Sequence, residues 1–407
     1  MCSTKQMRVF YSFPLRMGRA GGVDFTAWSQ VRGLIDNGLK VDLFCGSLER
    51  PLPGINEVHE TLAISGHRIP IRLLGRNRAM AYHDWLAARF LARVPDKYDI
   101  VHCWPSGALL TLKAAKNLGI ATVLERPSSH TRFVFETMAH ECEQLCIKMP
   151  KRYPLAYEKA RLEREEQEFD LADKLLCPSD WVAKTFKDLG TDESRLLRHR
   201  YGFEPAKFYL PAADQRKDDP VFKVVYLGRG EPDKGLHYAL DAWLSSEVAK
   251  KGMFYICGKW NKEYQKSLGD RLRHPSVVRP GYQKNPAELL QKCHALVLAS
   301  LCEGSALVTY EAKACGCVLL VSEASGAHCK HNWDSLVHPV GDVATLRDHI
   351  NRVCLDRDFF AQLQHNSIST ISELTWEKAG EVLVSAYRQC LAARRQDTPA
   401  IAAIAHK

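Results

Sequence analysis

The sequence predicts an α/β protein of two doubly wound, Rossmann-like domains, and three observations lead to this prediction. Short apolar strands alternate with helical patterns along the chain, which is typical of βαβ units in parallel sheets. The 407 residues are enough for two domains that each bury a core of their own. Residues 201–220 interrupt the alternation with proline, glycine and mixed charges, as an interdomain linker does.

The first half of the chain contains one βα series. Strands are predicted at 7–11, 41–45, 100–103, 121–124 and 175–177, with helices at about 24–37 and 107–118. The segment Pro178-Ser179-Asp180 is expected to cap a helix that begins at Trp181. We place this first domain at residues 1–205.

The second half repeats the pattern. Strands are predicted at 222–227, 254–257, 295–299 and 318–321. A terminal helix is predicted from Trp376 to about Arg395, with a frayed tail at 397–407. The second domain is therefore placed at 206–375 and a terminal segment at 376–407.

Composition limits the class of protein. Hydrophobic content of 46% and charged content of 25% are those of a soluble globular chain. The net charge of +9 is spread along the sequence, so it suits anionic partners without selecting one, and no nucleic-acid partner is expected. The N-terminus does not resemble a signal peptide, and no run reaches the roughly eighteen apolar residues of a membrane span. Fourteen cysteines without a signal favour a reducing, cytoplasmic location.

Metal binding is not predicted. The two cysteine and histidine groups considered for zinc are His140, Cys142 and Cys146, and His328, Cys329 and His331. Neither group has a second ligand pair at finger-like spacing.

The most informative segment runs from Glu303 to Glu311 and lies between a predicted buried strand and a helix. Its backbone N–H groups are free to point at an anion such as a diphosphate from a helix N-terminus. Two ionised carboxylates eight positions apart are suited to accept hydrogen bonds from sugar or ribose hydroxyls. An ordinary surface turn with incidental acids is the alternative.

This segment resembles the paired-glutamate signature of the retaining GT-B glycosyltransferases of group 1, family 4. The loop Gly228–Gly235 resembles the donor-phosphate loop of that family. The likeness extends loosely over the whole chain and is better in the C-terminal half. It implies two domains facing a central cleft, the first binding the acceptor and the second the nucleotide-sugar, with the terminal helix packed back on the first domain.

Arg229 and Lys234 are the candidate cations of the donor site. A nucleotide-sugar loses a diphosphate, so negative charge develops there as the glycosidic bond breaks, and two fixed cations would stabilise it. No metal would then be needed, and these loops lack an Asp-x-Asp pair. A solvated basic turn is the alternative.

The resemblance assigns further roles in the second domain. Glu303 would hold the transferred sugar near its 3-hydroxyl, and Glu311 would hold the ribose. Donor contacts would come from the segment after Glu303 (Gly304, Ser305, Ala306 and Leu307). Ser305 departs from the aromatic residue that is usual in the family, so the sugar pocket is expected to differ in shape. Tyr282 lies where the family binds the base, although a turn aromatic covering the core explains it equally well.

Two loops of the first domain complete the predicted site. Gly21 and Gly22 permit close approach of the main chain to a phosphate and resemble the turn that closes over the diphosphate. His130 is the best candidate for the family's cleft histidine, although it comes later after the strand than usual. Glu125 and Arg126, in the same loop after the 121–124 strand, are the alternatives, whereas His102 is better explained as a core histidine.

Residues 66–94 contain six arginines (68, 72, 76, 78, 89 and 93) and one acid, Asp84. A basic amphipathic helix of this kind can lie on an anionic membrane, and an ordinary solvated helix is the favoured alternative. The charged run 158–170 is interpreted as a solvent-exposed helix with opposite-charge pairs.

The sequence therefore predicts a retaining, metal-independent glycosyltransferase that needs no cofactor and moves a sugar to a glycan or lipid-linked acceptor, in cell-surface polysaccharide or lipopolysaccharide synthesis. The rivals are a nucleotide-sugar epimerase and a non-catalytic scaffold of the same fold. A phosphorylase would need a pyridoxal phosphate lysine, for which no motif is present. A periplasmic sugar-binding protein is disfavoured by the cysteine content.

Overall fold

The computed structural model describes residues 6–19, 21–64, 67–69, 75–148, 153–212 and 220–404. Two parallel sheets organise the chain, one in each half. Their strands, with one short antiparallel pair β4–β5, are β1 (Arg8–Met17), β2 (Lys40–Leu48), β3 (Glu57–Glu60), β4 (Ala63–Ile64), β5 (His67–Arg68), β6 (Ile100–Cys103), β7 (Ala121–Glu125), β8 (Lys174–Cys177), β9 (Leu196–Arg198), β10 (Lys223–Leu227), β11 (Met253–Cys257), β12 (Val277–Gly281), β13 (Ala295–Leu298), β14 (Val318–Ser322) and β15 (Ser335–His338).

Helices cover both faces of each sheet. They are α1 (Gly22–Asp36), α2 (Arg76–Leu91), α3 (Leu109–Asn117), α4 (Thr131–Gln144), α5 (Lys159–Leu171), α6 (Asp180–Asp188), α7 (Leu236–Leu244), α8 (Lys262–Leu268), α9 (Pro286–Leu290), α10 (Leu307–Ala314), α11 (Val343–Leu355), α12 (Arg357–Ser369) and α13 (Trp376–Ile404).

The first sheet has the order β3-β2-β1-β6-β7-β8-β9 and the second β12-β11-β10-β13-β14-β15. Chain order reverses between β1 and β6 in the first sheet and between β10 and β13 in the second. Ligands of such sheets bind beyond the carboxyl ends of the strands at this reversal. The loops after β1, β6, β10 and β13 are therefore the places to look for a site.

Alternating residues of β1 bury both faces of the first sheet. Val9, Tyr11 and Phe13 pack under α1 and α13, whereas Phe10 packs under α2, α3 and α6. The second sheet is likewise covered on both faces by one continuous core. There Trp243 of α7 is fully buried, and its indole N–H donates to Ser276 Oγ at 2.9 Å, which satisfies its polar atom.

The terminal helix α13 belongs to the core of the first domain. It crosses α1 where Gly33 and Gly380 meet, and a Cβ added to either glycine would lie less than 3.0 Å from the other backbone. Further along α13, Tyr387 is fully buried, and its hydroxyl lies 2.6 Å from His102 Nδ1 on β6. This contact joins residues 285 positions apart.

A buried acid stands beside that contact. Glu125, at the end of β7, accepts hydrogen bonds from Gln30 Nε2 at 2.8 Å and from the Tyr201 hydroxyl at 2.9 Å, and His199 Nε2 lies 3.0 Å away. Burial raises the pKa of Glu125, but His199 and His102 outweigh it and leave the pKa below its ordinary value. The network ties the sheet to the start of the linker.

Most predicted elements are present, with boundaries shifted by a few residues. The strand predicted at 100–103 is β6 without change, and Ser179 caps α6 by accepting from Val182 N at 3.3 Å, which confirms that prediction. The predicted fraying at 397–407 is wrong as far as residue 404, because α13 continues to Ile404.

The helix predicted at 158–170 exists as α5, but its assignment as solvent-exposed is wrong. Glu165 and Glu168 are fully buried, together with Leu162 and Phe169. The error arises because Arg161 and Arg164 lie on the same helix and pair with these acids, which makes burial of the charges tolerable.

The two domains touch through the loop after β13. Ser128 Oγ donates to the Cys302 carbonyl at 3.3 Å and Ser179 Oγ to the Gly304 carbonyl at 2.6 Å. A Cβ on Gly304 would lie 2.2 Å from the Pro127 carbonyl oxygen, so only glycine permits this approach.

Among the described residues no helix is both long and apolar enough to cross a membrane. All thirteen described cysteines are free thiols.

Candidate active site

The Gly228–Gly235 loop follows β10 at the reversal of the second sheet. It includes a 3-10 turn, Pro232–Lys234, and ends at Gly235 with a φ of +61°. A Cβ there would lie 1.8 Å from the Ala299 carbonyl oxygen, so glycine is required on conformational and steric grounds. The close approach holds this loop against the end of β13.

Lys234 lies between two carboxylates. Its ammonium group donates to Glu303 Oε1 and lies 3.3 Å from Asp233 Oδ2. Burial lowers the pKa of Lys234, but Glu303 and Asp233 outweigh it and hold the pKa above its ordinary value. The structure thus brings together Lys234 and Glu303, which the sequence placed in separate motifs, and keeps the ammonium charged.

Arg229 is the more open cation of the loop. Its side chain is 56% exposed, and Nη1 lies 3.1 Å from Glu231 Oε2. Among the described residues only Glu231 pairs with Arg229, so the guanidinium retains N–H groups for a second anion.

Sequence reasoning missed Tyr153, which reaches this loop from the first domain. Its hydroxyl lies 2.7 Å from Asp233 Oδ1 and 3.0 Å from Glu231 Oε2. Burial, followed by the charges of Asp233 and Glu231, raises the pKa of Tyr153 well above its ordinary value. Glu231 and Asp233 lie within the Gly228–Gly235 loop, so the sequence could have indicated them. Nothing near Tyr153 in the sequence signals the contact.

The Glu303–Glu311 segment forms the turn from β13 into α10. Ser305 is buried, and its hydroxyl donates to the Gly326 carbonyl at 2.8 Å and lies 2.7 Å from the Tyr310 hydroxyl. The Ala306 N–H already donates to the Ser325 carbonyl at 3.1 Å. Ala306 is therefore corrected from a donor of hydrogen bonds to the ligand to a residue that shapes the turn, while the Leu307 N–H opens α10 without a side-chain cap.

Glu311 lies on α10, away from Lys234. Burial raises the pKa of Glu311 to about 7, with Lys207 opposing the shift and Glu204 adding to it. Arg50 of the first domain lies 3.7 Å from Glu204. The second glutamate thus stands where linker and first-domain charges meet, and it is poised to lose a proton near neutral pH.

Tyr282 follows β12 and is 64% exposed. The Lys259 ammonium lies 5.1 Å from the centre of its ring. The alternative that Tyr282 covers the core does not agree with this exposure, and its base-binding role stays a prediction.

Gly21 and Gly22 precede α1 with φ values of +81° and +62°. The first turn of α1 has no side-chain cap, and a Cβ on either glycine would meet no atom within 4 Å. The requirement for glycine here is conformational, and the surrounding space is open for a ligand.

His130 has a structural role. Its Nδ1 accepts from Arg132 N at 3.2 Å and so caps α4, while its ring packs edge-on against Phe169 and Phe186. Burial, reinforced by Arg126 and Arg132, lowers the pKa of His130 to about 3. These contacts give His130 a capping and packing role, and its catalytic role stays a prediction.

The two alternatives to His130 are buried as well. Glu125 belongs to the network described above, and Arg126 is 2% exposed with its guanidinium 4.1 Å from the centre of the Phe169 ring. His102 is a core histidine, as predicted, and burial lowers its pKa to about 3.

Within the part of the chain that the structure describes, no three His, Cys, Asp or Glu side chains gather in a way that would hold a metal ion. The cleft instead presents two cations, Arg229 and Lys234, each with acids in contact, and Glu311 on the helix that follows. Such a set is suited to hold a diphosphate and the hydroxyls of sugars on either side of it.

Two facing parallel-sheet domains with these loops at their reversal points define the GT-B glycosyltransferase class. The family model for glycosyl transferases group 1 matches residues 221–356, and that for glycosyltransferase family 4 matches residues 20–202. The chain belongs to the group 1, family 4 glycosyltransferases, which confirms the predicted fold and enzyme class.

Individual relatives are distant. A D-inositol 3-phosphate glycosyltransferase from Nocardiopsis dassonvillei is 23% identical, over 93% of this chain and 91% of the relative. Sucrose-phosphate synthase from Thermosynechococcus elongatus has a TM-score of 0.67 at 19% identity, over 96% of this chain and 100% of that chain. HepE from Anabaena, solved with UDP and glucose, has a TM-score of 0.63 at 16% identity, over 93% and 99%. At these identities the structures share the fold.

Proposed function

We propose that this glycosyltransferase transfers a sugar from a nucleoside diphosphate sugar to an acceptor hydroxyl, with retention of configuration and without a metal ion. The observation that carries the proposal is the contact between Lys234 and Glu303 beside the open guanidinium of Arg229. In this proposal Lys234 binds the diphosphate and Glu303 binds the sugar, and their contact supports a donor that lies against both. The complex of HepE with UDP and glucose supports a nucleotide-sugar donor.

In the proposed reaction the bond between the anomeric carbon and the β-phosphate oxygen breaks. Arg229 and Lys234 stabilise the charge that develops on the diphosphate. The acceptor oxygen forms its bond on the same face, and its proton passes to the departing phosphate oxygen. Glu125, an acid of the first domain near the cleft, is fully buried and hydrogen-bonded, which argues against its service as a nucleophile and supports a front-face displacement.

The acceptor is proposed to be a glycan or lipid-linked hydroxyl held by the first domain. Support for a membrane acceptor comes from an exposed stripe formed by Arg78, Tyr82, Trp85 and Arg89 of α2 and by Arg93 just after it. Tyr82 and Trp85 are 45% and 43% exposed, and the Arg89 guanidinium lies 4.9 Å from the centre of the Trp85 ring. Aromatic and cationic side chains together favour an anionic membrane surface. Within the predicted segment 66–94, Arg72 lies outside the described residues.

The membrane contact is tested by sedimentation with phosphatidylcholine vesicles that contain or lack phosphatidylglycerol. Binding should require the anionic lipid and weaken in Trp85→Ser and Arg89→Gln. Arg347→Gln, on an exposed face of α11, is the matched control. Equal sedimentation of all variants would show that this stripe does not bind the membrane.

The donor is tested by a thermal-shift panel of UDP, GDP, ADP, TDP and their sugars on wild type and Arg229→Ala. A ligand that binds only the folded state raises the melting temperature. Arg273→Ala is the matched control, because this 81% exposed arginine precedes β12 at the opposite edge of the same sheet. One nucleotide should stabilise wild type and Arg273→Ala but not Arg229→Ala. The absence of any shift on folded protein would favour the scaffold, and nucleotide release without an acceptor would favour the epimerase.

A further inference from the structure

We propose that a cavity of about 430 Å³ in the first domain binds a phosphate carried by the acceptor. This proposal rests on the proposed function, since it names the chemical class of the acceptor. The cavity lies between the first turns of α2 and α5 and the loop after β6. It is separate from Arg229 and Lys234, which serve the donor.

Three arginines line the cavity, namely Arg78, Arg161 and Arg164, together with one acid, Glu163, and with Asn77, Ser106 and Gln167. Arg78 is exposed and makes no ion pair with any described residue. Arginine offers a planar fork of N–H groups that matches phosphate oxygens. The lining therefore suits a phosphate better than a neutral sugar.

Buried carboxylates hold two of these arginines in place. Arg161 Nε donates to Glu165 Oε1 at 2.8 Å, and Arg164 Nε donates to Glu168 Oε1 at 3.2 Å. Arg164 Nη2 also donates to Asp84, which is fully buried. Arg161 Nη2 and Arg164 Nη1 make no hydrogen bond within the described part of the chain, so each guanidinium is fixed while one of its N–H groups stays available.

The charge balance around the cavity favours an anion. Arg161 and Arg126 outweigh burial and lower the pKa of Glu165 to about 2, so that acid is ionised. Burial and the neighbouring Glu165 raise the pKa of Glu168 to about 7, so that acid is only partly ionised at neutral pH. Asp84 pairs with Arg164 and Glu163 also lines the cavity, so the cation left for an anion is Arg78, which no described acid pairs with.

Two helix N-termini add donors to the same space. Asn77 and Arg78 stand in the first turn of α2, and Ala160 and Arg161 in the first turn of α5. Neither helix has a side-chain cap that accepts from its first N–H groups, although Glu158, the residue before α5, accepts a hydrogen bond from Asn77 Nδ2. Their positive ends act in the same direction as the arginines.

The cavity lies next to the donor loop. Both α2 and α5 precede a strand of the parallel sheet and run antiparallel to it. Their first turns therefore lie at the carboxyl ends of the strands, on the side that faces the cleft. Arg161 Nη1 donates to the Pro154 carbonyl, and the preceding residue, Tyr153, reaches Asp233 beside Lys234. An acceptor anchored here by its phosphate would present a hydroxyl toward the donor.

The test is calorimetric titration of the full chain with D-glucose 6-phosphate, with D-glucose and with inorganic phosphate. Both phosphate probes should bind saturably and glucose should not. Arg78→Gln and Arg161→Lys should each weaken binding roughly tenfold, because each removes one charge-assisted contact. Arg161→Lys retains a cation for Glu165 and so protects the fold. Arg132→Gln, which removes a nearby exposed arginine outside the cavity, should bind like wild type.

A second arm distinguishes a soluble phosphate from a lipid phosphate. Vesicles of phosphatidylcholine with phosphatidic acid should bind in an Arg161-dependent manner only if a lipid phosphate enters the cavity. Binding that does not depend on Arg161, together with Arg161-dependent binding of glucose 6-phosphate, assigns a soluble acceptor. Either result supports the phosphate site.

The proposal is overturned if neither phosphate probe binds saturably in solution or on vesicles, or if Arg132→Gln weakens binding as much as the two cavity variants. The donor panel is run on the same proteins. A nucleotide shift without phosphate binding would leave the proposed function standing and remove this site alone. Phosphate binding without any nucleotide-induced shift in melting temperature would keep the phosphate site and remove the proposed transferase function.

Discussion

The ammonium group of Lys234 and the carboxylate of Glu303 are hydrogen-bonded to each other across 69 positions of sequence. A donor that fills the cleft would lie against both groups, its phosphate on the lysine and its sugar on the glutamate. In the proposed function, Glu303 would hold the phosphate-binding cation in position as well as contact the sugar. Binding and leaving-group stabilisation are coupled through one contact.

Replacing Lys234 by methionine should lower kcat by roughly 10²–10³-fold, because the departing diphosphate loses one of the two positive charges that stabilise it. It also leaves Glu303 and Asp233 without their shared cation, at a cost of about 1–3 kcal/mol in the free energy of unfolding. Steady-state kinetics and urea unfolding measure the two effects. Lys184→Met, which removes an exposed pair with Asp188, should change neither. A variant with wild-type kcat would exclude Lys234 from the chemistry.

Donor binding should depend on pH through Glu311, whose pKa burial raises to about 7. Ribose hydroxyls favour the ionised carboxylate, so the affinity for UDP-glucose should rise by up to about tenfold per pH unit below pH 7 and level off above it. UDP-glucose has no group that titrates in this range. Titration calorimetry between pH 5.5 and 8.5 measures the trend, and a slope that persists in Glu311→Gln would assign it elsewhere.

The same carboxyl should make the free protein less stable as pH rises. Its folded pKa lies above the ordinary value of 4.5, so its ionisation opposes folding progressively between about pH 4.5 and 7. Glu311→Gln should therefore melt at a higher temperature than wild type above pH 7. The difference should vanish below pH 4.5, and a constant difference at every pH would contradict this assignment.

Gly304→Ala should hold the domains apart, because the new Cβ would lie 2.2 Å from the Pro127 carbonyl oxygen. We expect a larger radius of gyration in X-ray scattering and a kcat lower by roughly 10²-fold, since the acceptor domain is displaced from the donor. Ser128→Ala removes a 3.3 Å hydrogen bond at the same interface but inserts no atom, and it should stay near wild type. Unchanged scattering by Gly304→Ala would show that the interface adapts.

His130→Ala should cost at least about 1 kcal/mol of stability through loss of the α4 cap while leaving kcat intact. Asparagine is a good cap, so His130→Asn should recover much of that stability. Chemical unfolding and kinetics separate the two roles. If the folded asparagine variant lost roughly 10²-fold in kcat, the histidine would return to the list of catalytic groups.

The sequence was most informative where buried parallel strands form continuous apolar runs. The strands before the Arg229 loop and before Glu303 were predicted from such runs, and the reversal of strand order places both loops at one edge. Loops that follow neighbouring strands must converge there, so the second-domain half of the site was within reach of sequence reasoning.

Contacts made across the cleft were out of reach. Tyr153 approaches Asp233 from 80 positions away, through a segment without a regular pattern. His130 follows a strand, as a cleft histidine would, but the aromatic residues that enclose it come from two later helices. Glu165 and Glu168 were read as exposed because a charged run is usually solvated, and only the fold shows the arginines that accompany them inward.

The place of α13 in the core of the first domain has a consequence for biosynthesis. His102 is translated 285 positions before its partner Tyr387. Until α13 has left the ribosome, the face of the first sheet that this helix covers lacks its outer layer. The second domain, whose strands and helices are complete by residue 369, is therefore able to finish folding before the first. In this chain the domain that begins first is completed last.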